Sequence, residues 1–224
     1  MFRAMAIKEF REIRGIVLLA LAAYALLAAA TIDPMSPLNI FGARTLDGSV
    51  PFVRDIFTGW FFFISVVFTI ALGLRQTLGE SMRGTYPFLL HRPAGRRWLI
   101  GIKLAVGLTF YLICAVIPIL IYGHWAATPG THPSPFEWSM TVPTWVGWLA
   151  MTPLYLGAFL AVVRPGRWYR SRLLPLAASA LAALAAAGLA AGFEWFLWPS
   201  LIVLVVDVWL IAMILFAIQT RDYP

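Results

Sequence analysis

Long apolar runs separated by short polar segments dominate the pattern of hydrophobic and polar positions along this chain. One helical crossing of a bilayer core about 30 Å thick needs roughly 20 mostly apolar residues. The runs are continuously apolar, which favours helices over barrel strands, since barrel strands alternate over roughly ten residues. The predicted spans are Gly15–Ile32, Ile56–Leu74, Trp98–Trp125, Val142–Val163, Leu173–Phe193 and Trp195–Ile218.

Composition agrees with this pattern. Hydrophobic residues make up 61% of the chain and charged residues 12%, and the mean hydropathy is +0.83. Water-soluble globular domains are far less apolar. No repeat, low-complexity tail or second soluble domain is visible. We therefore predict an all-α integral membrane protein in which residues 1–224 form a single membrane domain.

The basic residues predict the orientation. They concentrate before the first span, between the second and third, between the fourth and fifth, and after the sixth, whereas only Arg44 and Arg54 fall on the other side. Positively charged loops stay on the cytoplasmic side, so six spans place both termini in the cytoplasm. The net charge of +7 is then a topology signal. Nucleic-acid binding is disfavoured because the basic residues are split among four short segments that border apolar spans.

Two interpretations compete for the N-terminus. A cleavable signal peptide is disfavoured because the apolar run is too long and because Glu9 and Glu12 would occupy its basic region. The alternative, which we favour, is an interfacial helix over residues 1–14. Its basic face carries Lys8, Arg11 and Arg14, and its apolar face carries Phe2, Met5, Ala6, Phe10 and Ile13. Glu9 interrupts the apolar face, and it either pairs with a basic residue of the loop after the second span or reaches to water.

The segment that follows the second span, residues 77–91, predicts a short amphipathic helix. Its apolar residues recur near helical spacing at Leu78, Met82, Tyr86 and Leu89 or Leu90, interleaved with charged residues. Pro87 would break or kink this helix. Because the segment joins two spans directly, it could pass movement from a docked protein to the membrane. The alternative is an ordinary loop whose arginines fix topology and touch anionic lipid.

Sequence motifs for catalysis are missing from the chain. It contains neither a nucleotide-binding loop of the form G-x-x-x-x-G-K-[ST] nor an H-E-x-x-H or G-x-S-x-G motif, so we do not expect an enzyme. His124, His132 and Glu137 lie close in sequence, but such spacing is common by chance and a solvated loop is the favoured interpretation over a metal site. The single cysteine, Cys114, excludes an intramolecular disulfide.

A family resemblance favours the coupling interpretation of residues 77–91. The pattern Glu80, Gly84-Thr85, Leu89-Leu90, Pro93, Arg96 or Arg97 and Lys103 resembles the E…GT…LL…P…R…K signature that follows the second span in ABC-2 permeases of ATP-binding-cassette transporters. The N-terminal helix with Lys8-Glu9, the six spans and the cytoplasmic termini are also similar to that family. Two features depart from it: Tyr86-Pro87 stands where an acidic residue is frequent, and the turn at Glu194 leaves little room for re-entrant helices.

The resemblance implies a permease subunit of an exporter in the bacterial inner membrane. Such a subunit forms a homodimer or pairs with a related permease, contacts membrane lipid, and binds cytoplasmic ATPase subunits through the coupling helix. ATP and Mg would belong to the partner ATPase, with no cofactor in this chain. The residues implied in coupling are Glu80, Arg83, Gly84, Thr85, Leu89, Leu90, Pro93, Arg96 and Arg97. A second set of candidate site residues, Lys8, Glu9 and Arg11, lies on the N-terminal interfacial helix. The alternative function is a non-transporting scaffold or mechanotransmission subunit that an ATPase partner drives.

Asp207 is the conspicuous polar residue of the apolar runs, near the middle of the sixth span. A charge at that depth costs several kcal/mol unless it is neutralised or partnered. The acid is therefore expected to be protonated or to be hydrogen-bonded to a neighbouring helix, with Thr109, Thr152 and Ser179 as candidate partners. A structural clamp and a role in gating or in the transport pathway are both open.

Overall fold

The computed structural model describes residues 2–33, 50–53, 55–82, 95–131, 135–164, 171–190 and 196–220. Helix accounts for 89% of these residues, and none of them belongs to a β-strand. The α-helices are α1 (Phe2–Ile32), α2 (Ile56–Met82), α3 (Arg96–Ala127), α4 (Val142–Ala150), α5 (Thr152–Val163), α6 (Leu174–Ala190) and α7 (Leu197–Thr220), with a 3₁₀ turn over Trp138–Thr141 before α4.

Five of the described helical stretches are long and apolar enough to cross a membrane: Arg3–Ile32, Ile56–Gly79, Arg97–Ala127, Trp138–Val163 and Leu197–Gln219. This result confirms the prediction of an all-helical protein with apolar, span-length helices. Helix α6 is shorter. Its 17 residues extend for about 25 Å at 1.5 Å per residue, and residues 191–193 of the predicted fifth span lie outside the described part. Six crossings remain a prediction.

The N-terminus differs from the prediction. Residues 2–32 form one unbroken helix, so the predicted interfacial helix over residues 1–14 is not a separate element. The reason is that no proline or turn sequence separates the two predicted pieces and that one buried stripe continues through both. The buried stripe consists of Met5, Glu9, Ile13, Val17, Ala20, Tyr24 and Leu27, at the i, i+3 and i+4 spacing of a helix face that packs on neighbours.

The predicted fourth span is also interrupted, because the chain leaves the helix at Met151 between α4 and α5. Pro153 accounts for this break. It has no N–H to donate to the Leu149 carbonyl four residues earlier, and its ring crowds that carbonyl. The prediction of one continuous helix over Val142–Val163 is therefore wrong, although the stretch as a whole remains apolar and long enough to span.

The broken span occupies the centre of the bundle. Every residue of α5 is buried, and α5 packs against α2, α6 and α7. Close approach depends on glycine: a methyl group at Gly73 of α2 would lie 2.5 Å from the Tyr155 carbonyl oxygen, and one at Gly157 would meet the Ser179 side chain of α6. Helix α7 lies at the periphery and exposes large apolar side chains, among them Leu197, Trp198, Leu204, Val205, Val208, Trp209 and Phe216.

Candidate functional site

A buried ion pair joins the first and third helices. Lys103 of α3 and Glu9 of α1 are both fully excluded from solvent. The Lys103 Nζ atom donates a hydrogen bond to Glu9 Oε2 at 3.0 Å and lies 2.9 Å from Glu9 Oε1. Both carboxylate oxygens therefore face one ammonium group.

Two further residues extend this pair into a network. Lys103 Nζ also donates to the Gln76 carbonyl of α2 at 3.3 Å, and the Gln76 side-chain amide returns a hydrogen bond to the Lys103 carbonyl at 3.1 Å. The Tyr155 hydroxyl of α5 donates to Gln76 Oε1 at 2.6 Å. Four helices thus meet in one set of buried hydrogen bonds, which we call the Glu9–Lys103 network (Glu9, Gln76, Lys103 and Tyr155).

The network satisfies the charge that it buries. Three oxygens lie within 3.3 Å of Nζ: Glu9 Oε2 and the Gln76 carbonyl accept hydrogen bonds, and Glu9 Oε1 makes an ion-pair contact, so the carboxylate compensates the ammonium charge. Such compensation is necessary because removing one partner of a buried ion pair costs about 3–5 kcal/mol and leaves an uncompensated charge. We infer that the network holds the parts of α1, α2, α3 and α5 that carry its residues in one arrangement.

Glycine makes room for the network. A methyl group at Gly107 of α3 would overlap the Tyr155 hydroxyl and approach Gln76 Oε1 to 2.6 Å. On α2, the Thr77 hydroxyl is buried and donates to the Gly73 carbonyl at 2.9 Å. The missing side chain at Gly107 and the hydrogen bond of Thr77 within its own helix let α2, α3 and α5 approach closely around the network.

The rest of the predicted N-terminal set lies at the surface. Lys8, whose side chain is 44% exposed, lies 3.5 Å from Glu12 and 3.8 Å from Glu9. Arg11 is exposed. Phe10, predicted on the apolar face of an interfacial helix, is exposed, and its ring stacks on Phe110 at a centroid distance of 4.9 Å. Of the three candidate site residues on the N-terminal helix, Lys8, Glu9 and Arg11, Glu9 is the one that the structure places in the core.

The predicted coupling helix lies mostly outside the described residues. Residues 77–82 continue α2, so a separate element that begins at residue 77 is not observed; no proline interrupts the helix there. Residues 83–94, the remainder of the predicted helix and its following turn, lie outside the described part, as do the side chains of Glu80 and Arg96. Arg97, near the start of α3, is exposed and donates to Gln219 of α7 at 2.9 Å.

The contacts of the Glu9–Lys103 network were mostly not predicted from the sequence. The basic partner of Glu9 is Lys103, on a helix rather than in the loop after the second span, and the alternative of Glu9 reaching to water is wrong. Gln76 and Tyr155 were not singled out as polar partners. The available signal was Glu9 on the apolar face of the N-terminal helix and Lys103 within the predicted third span, because charges among apolar residues are buried in pairs.

A second polar contact lies near the middle of the predicted sixth span. Asp207 of α7 is hydrogen-bonded with the Thr152 hydroxyl of α5, directly after the break at Met151. The structure thereby selects Thr152 from the three candidate partners, since Ser179 bonds to the Pro175 carbonyl at 2.6 Å instead and Thr109 is exposed.

An apolar cavity of about 490 Å³ lies between α2, the break and α6. Its walls include Phe62, Val66, Met151, Leu154 and Ala180. The cavity provides room for hydrocarbon but no group for catalysis. Within the described residues, no group of three or more His, Cys, Asp or Glu side chains could hold a metal ion; His132 lies outside that part.

Comparison of the chain with protein-family models, with curated proteins and with solved structures gave no match.

Proposed function

We propose that this chain is the membrane-embedded permease subunit of an ATP-binding-cassette exporter. In this proposal the chain crosses a bacterial inner membrane six times with both termini in the cytoplasm. A separate cytoplasmic ATPase binds the segment over residues 77–91, and the subunit works as a homodimer or with a related permease.

One observation carries the proposal. The Glu9–Lys103 network holds the end of α2 and the beginning of α3, the two helices that flank the predicted coupling segment. The same network continues to α1 through Glu9 and to the central helix α5 through Tyr155. A displacement of the coupling segment would thus be passed to four helices together.

A mechanism follows from this connection. Closure of two ATPase subunits on ATP would push the coupling segments, and each would move as a near-rigid lever because its flanking helices are cross-linked by buried hydrogen bonds. The paired membrane halves would then exchange between two arrangements, and ATP hydrolysis would reset them. The chain would contribute the levers and the transport pathway, and the partner would contribute the hydrolysis.

A second candidate function uses the same network. A membrane scaffold or mechanotransmission subunit would pass ATPase movement to a further protein without transporting anything. The two functions differ in their response to cargo: a permease complex hydrolyses ATP faster when its substrate is present, whereas a scaffold responds to its protein partner. Measurement of ATPase stimulation in reconstituted vesicles therefore separates them.

Purification of the full chain from membranes, co-expressed with its genomic neighbours, tests the proposal. We expect an ATPase with a nucleotide-binding loop to co-purify. Recovery of the intact chain without any ATPase, under conditions that preserve membrane complexes, would contradict both the permease and the scaffold.

A further inference from the structure

The Thr152 hydroxyl contacts two oxygen atoms but has one hydrogen to donate. Its hydroxyl oxygen lies 2.8 Å from the Leu149 carbonyl and is also hydrogen-bonded with Asp207 Oδ2. A threonine hydroxyl carries one hydrogen, yet a carbonyl and an ionised carboxylate both need to accept one. The two contacts can be hydrogen bonds at the same time only if Asp207 supplies a hydrogen of its own.

The surroundings of Asp207 also disfavour an ionised carboxylate. Its second oxygen, Oδ1, is buried and has no hydrogen-bond partner among the described residues. Helices α4, α5, α6 and α7 contain no lysine or arginine, and on α3 Lys103 is paired with Glu9 while Arg97 binds Gln219. An unpaired buried charge costs far more than a neutral carbonyl oxygen in the same place.

We propose that Asp207 is a neutral carboxylic acid whose hydroxyl donates to Thr152 and thereby latches α7 to the break between α4 and α5. The Asp207 hydroxyl donates to the Thr152 oxygen, and the Thr152 hydroxyl donates to the Leu149 carbonyl. Pro153 cannot donate to that carbonyl because it lacks an N–H. One polar contact thus fixes both the bend of the central span and the position of a peripheral helix. This inference does not depend on the proposed transport function.

Infrared difference spectroscopy tests the protonation state. Spectra of the full-length protein in lipid vesicles at neutral pH are compared between the wild type and Asp207→Asn. We expect the difference spectrum to contain the C=O stretching band of a protonated acid, shifted in heavy water. Carboxylate bands in its place would overturn the proposal.

Stability measurements on substituted proteins test the latch. Thr152→Val keeps the shape but removes the hydroxyl, and it should lower the melting temperature by roughly 2–4 °C, while Thr152→Ser should restore it. Asp207→Asn should match the wild type because its amide N–H donates as the acid does, whereas Asp207→Leu should not. The matched control is Thr109→Val, at an exposed threonine. Equal losses for Asp207→Asn and Asp207→Leu, or an unchanged Thr152→Val, would overturn the latch.

Discussion

Lys103 Nζ lies 2.9 Å from Glu9 Oε1, and neither side chain reaches solvent. The two residues are separated by 94 positions, so their pairing fixes the N-terminal helix against α3. Burying either charge alone among apolar side chains would cost several kcal/mol. The two residues are therefore buried together, as a pair.

Removal of either partner should destabilise the protein. We expect Glu9→Met and Lys103→Met each to reduce the free energy of unfolding by about 3–5 kcal/mol, since each leaves one buried charge uncompensated. The double variant should recover most of this loss because neither charge remains. Thermal unfolding in detergent provides the measurement, and Arg11→Met, at an exposed position of the same helix, is the control. A double variant no better than the worse single variant would show that the pair is not the source of the effect.

Gly107 tests the space that the network requires. We expect Gly107→Ala to destabilise the protein by about 1–3 kcal/mol, the usual cost of overpacking a filled core, because the added methyl group displaces the Tyr155 hydroxyl from Gln76. Gly101→Ala on the same helix meets no atom within 4 Å and should not destabilise. The comparison uses unfolding midpoints of the two variants. Equal midpoints would contradict the close packing at Gly107.

Cysteine labelling tests the predicted orientation. Single cysteines are placed at Ser49, Ser134 and Ser171 in a variant without Cys114. The asymmetric arginines predict that a membrane-impermeant reagent labels the first two in intact cells and the third only after lysis. Labelling at position 171 from outside would contradict the six-span topology.

The sequence predicted the elements better than their contacts. The start of α2 at Ile56 is confirmed, because an apolar run with a polar boundary determines where a helix begins. The break at Met151 was missed even though Pro153 was visible, since apolar continuity hid the missing N–H. The prediction of a separate helix over residues 1–14 was wrong, because α1 is continuous. Amphipathic spacing alone does not distinguish a helix on a lipid surface from one that packs on neighbouring helices.

The polar contacts could be predicted only in part. The need for a partner was readable from Glu9, which interrupts an apolar helix face, and from Asp207, which lies within an apolar run. Thr152 was among the candidate partners of Asp207. The pairing of Glu9 with Lys103 was not readable, because it depends on which helices become neighbours in the bundle. Propensity and periodicity describe one helix at a time and contain no information about that choice.

The most direct test of the account is the effect of the coupling segment on a bound ATPase. Glu80→Ala and Leu89→Asp are introduced into the full chain and compared with Arg167→Ala and Arg170→Ala, basic positions predicted on the same side of the membrane but outside the segment. Loss of a buried charged contact at a docking surface costs about 2–5 kcal/mol, a decrease in affinity of more than tenfold. The measurements are ATPase co-purification and ATP hydrolysis by the purified complex.

We expect Glu80→Ala and Leu89→Asp to lose the ATPase or to uncouple its hydrolysis while the chain still inserts and folds. Arg167→Ala and Arg170→Ala should resemble the wild type. Equal behaviour of the two pairs would contradict the account, since residues 77–91 would then act as an ordinary loop between two spans.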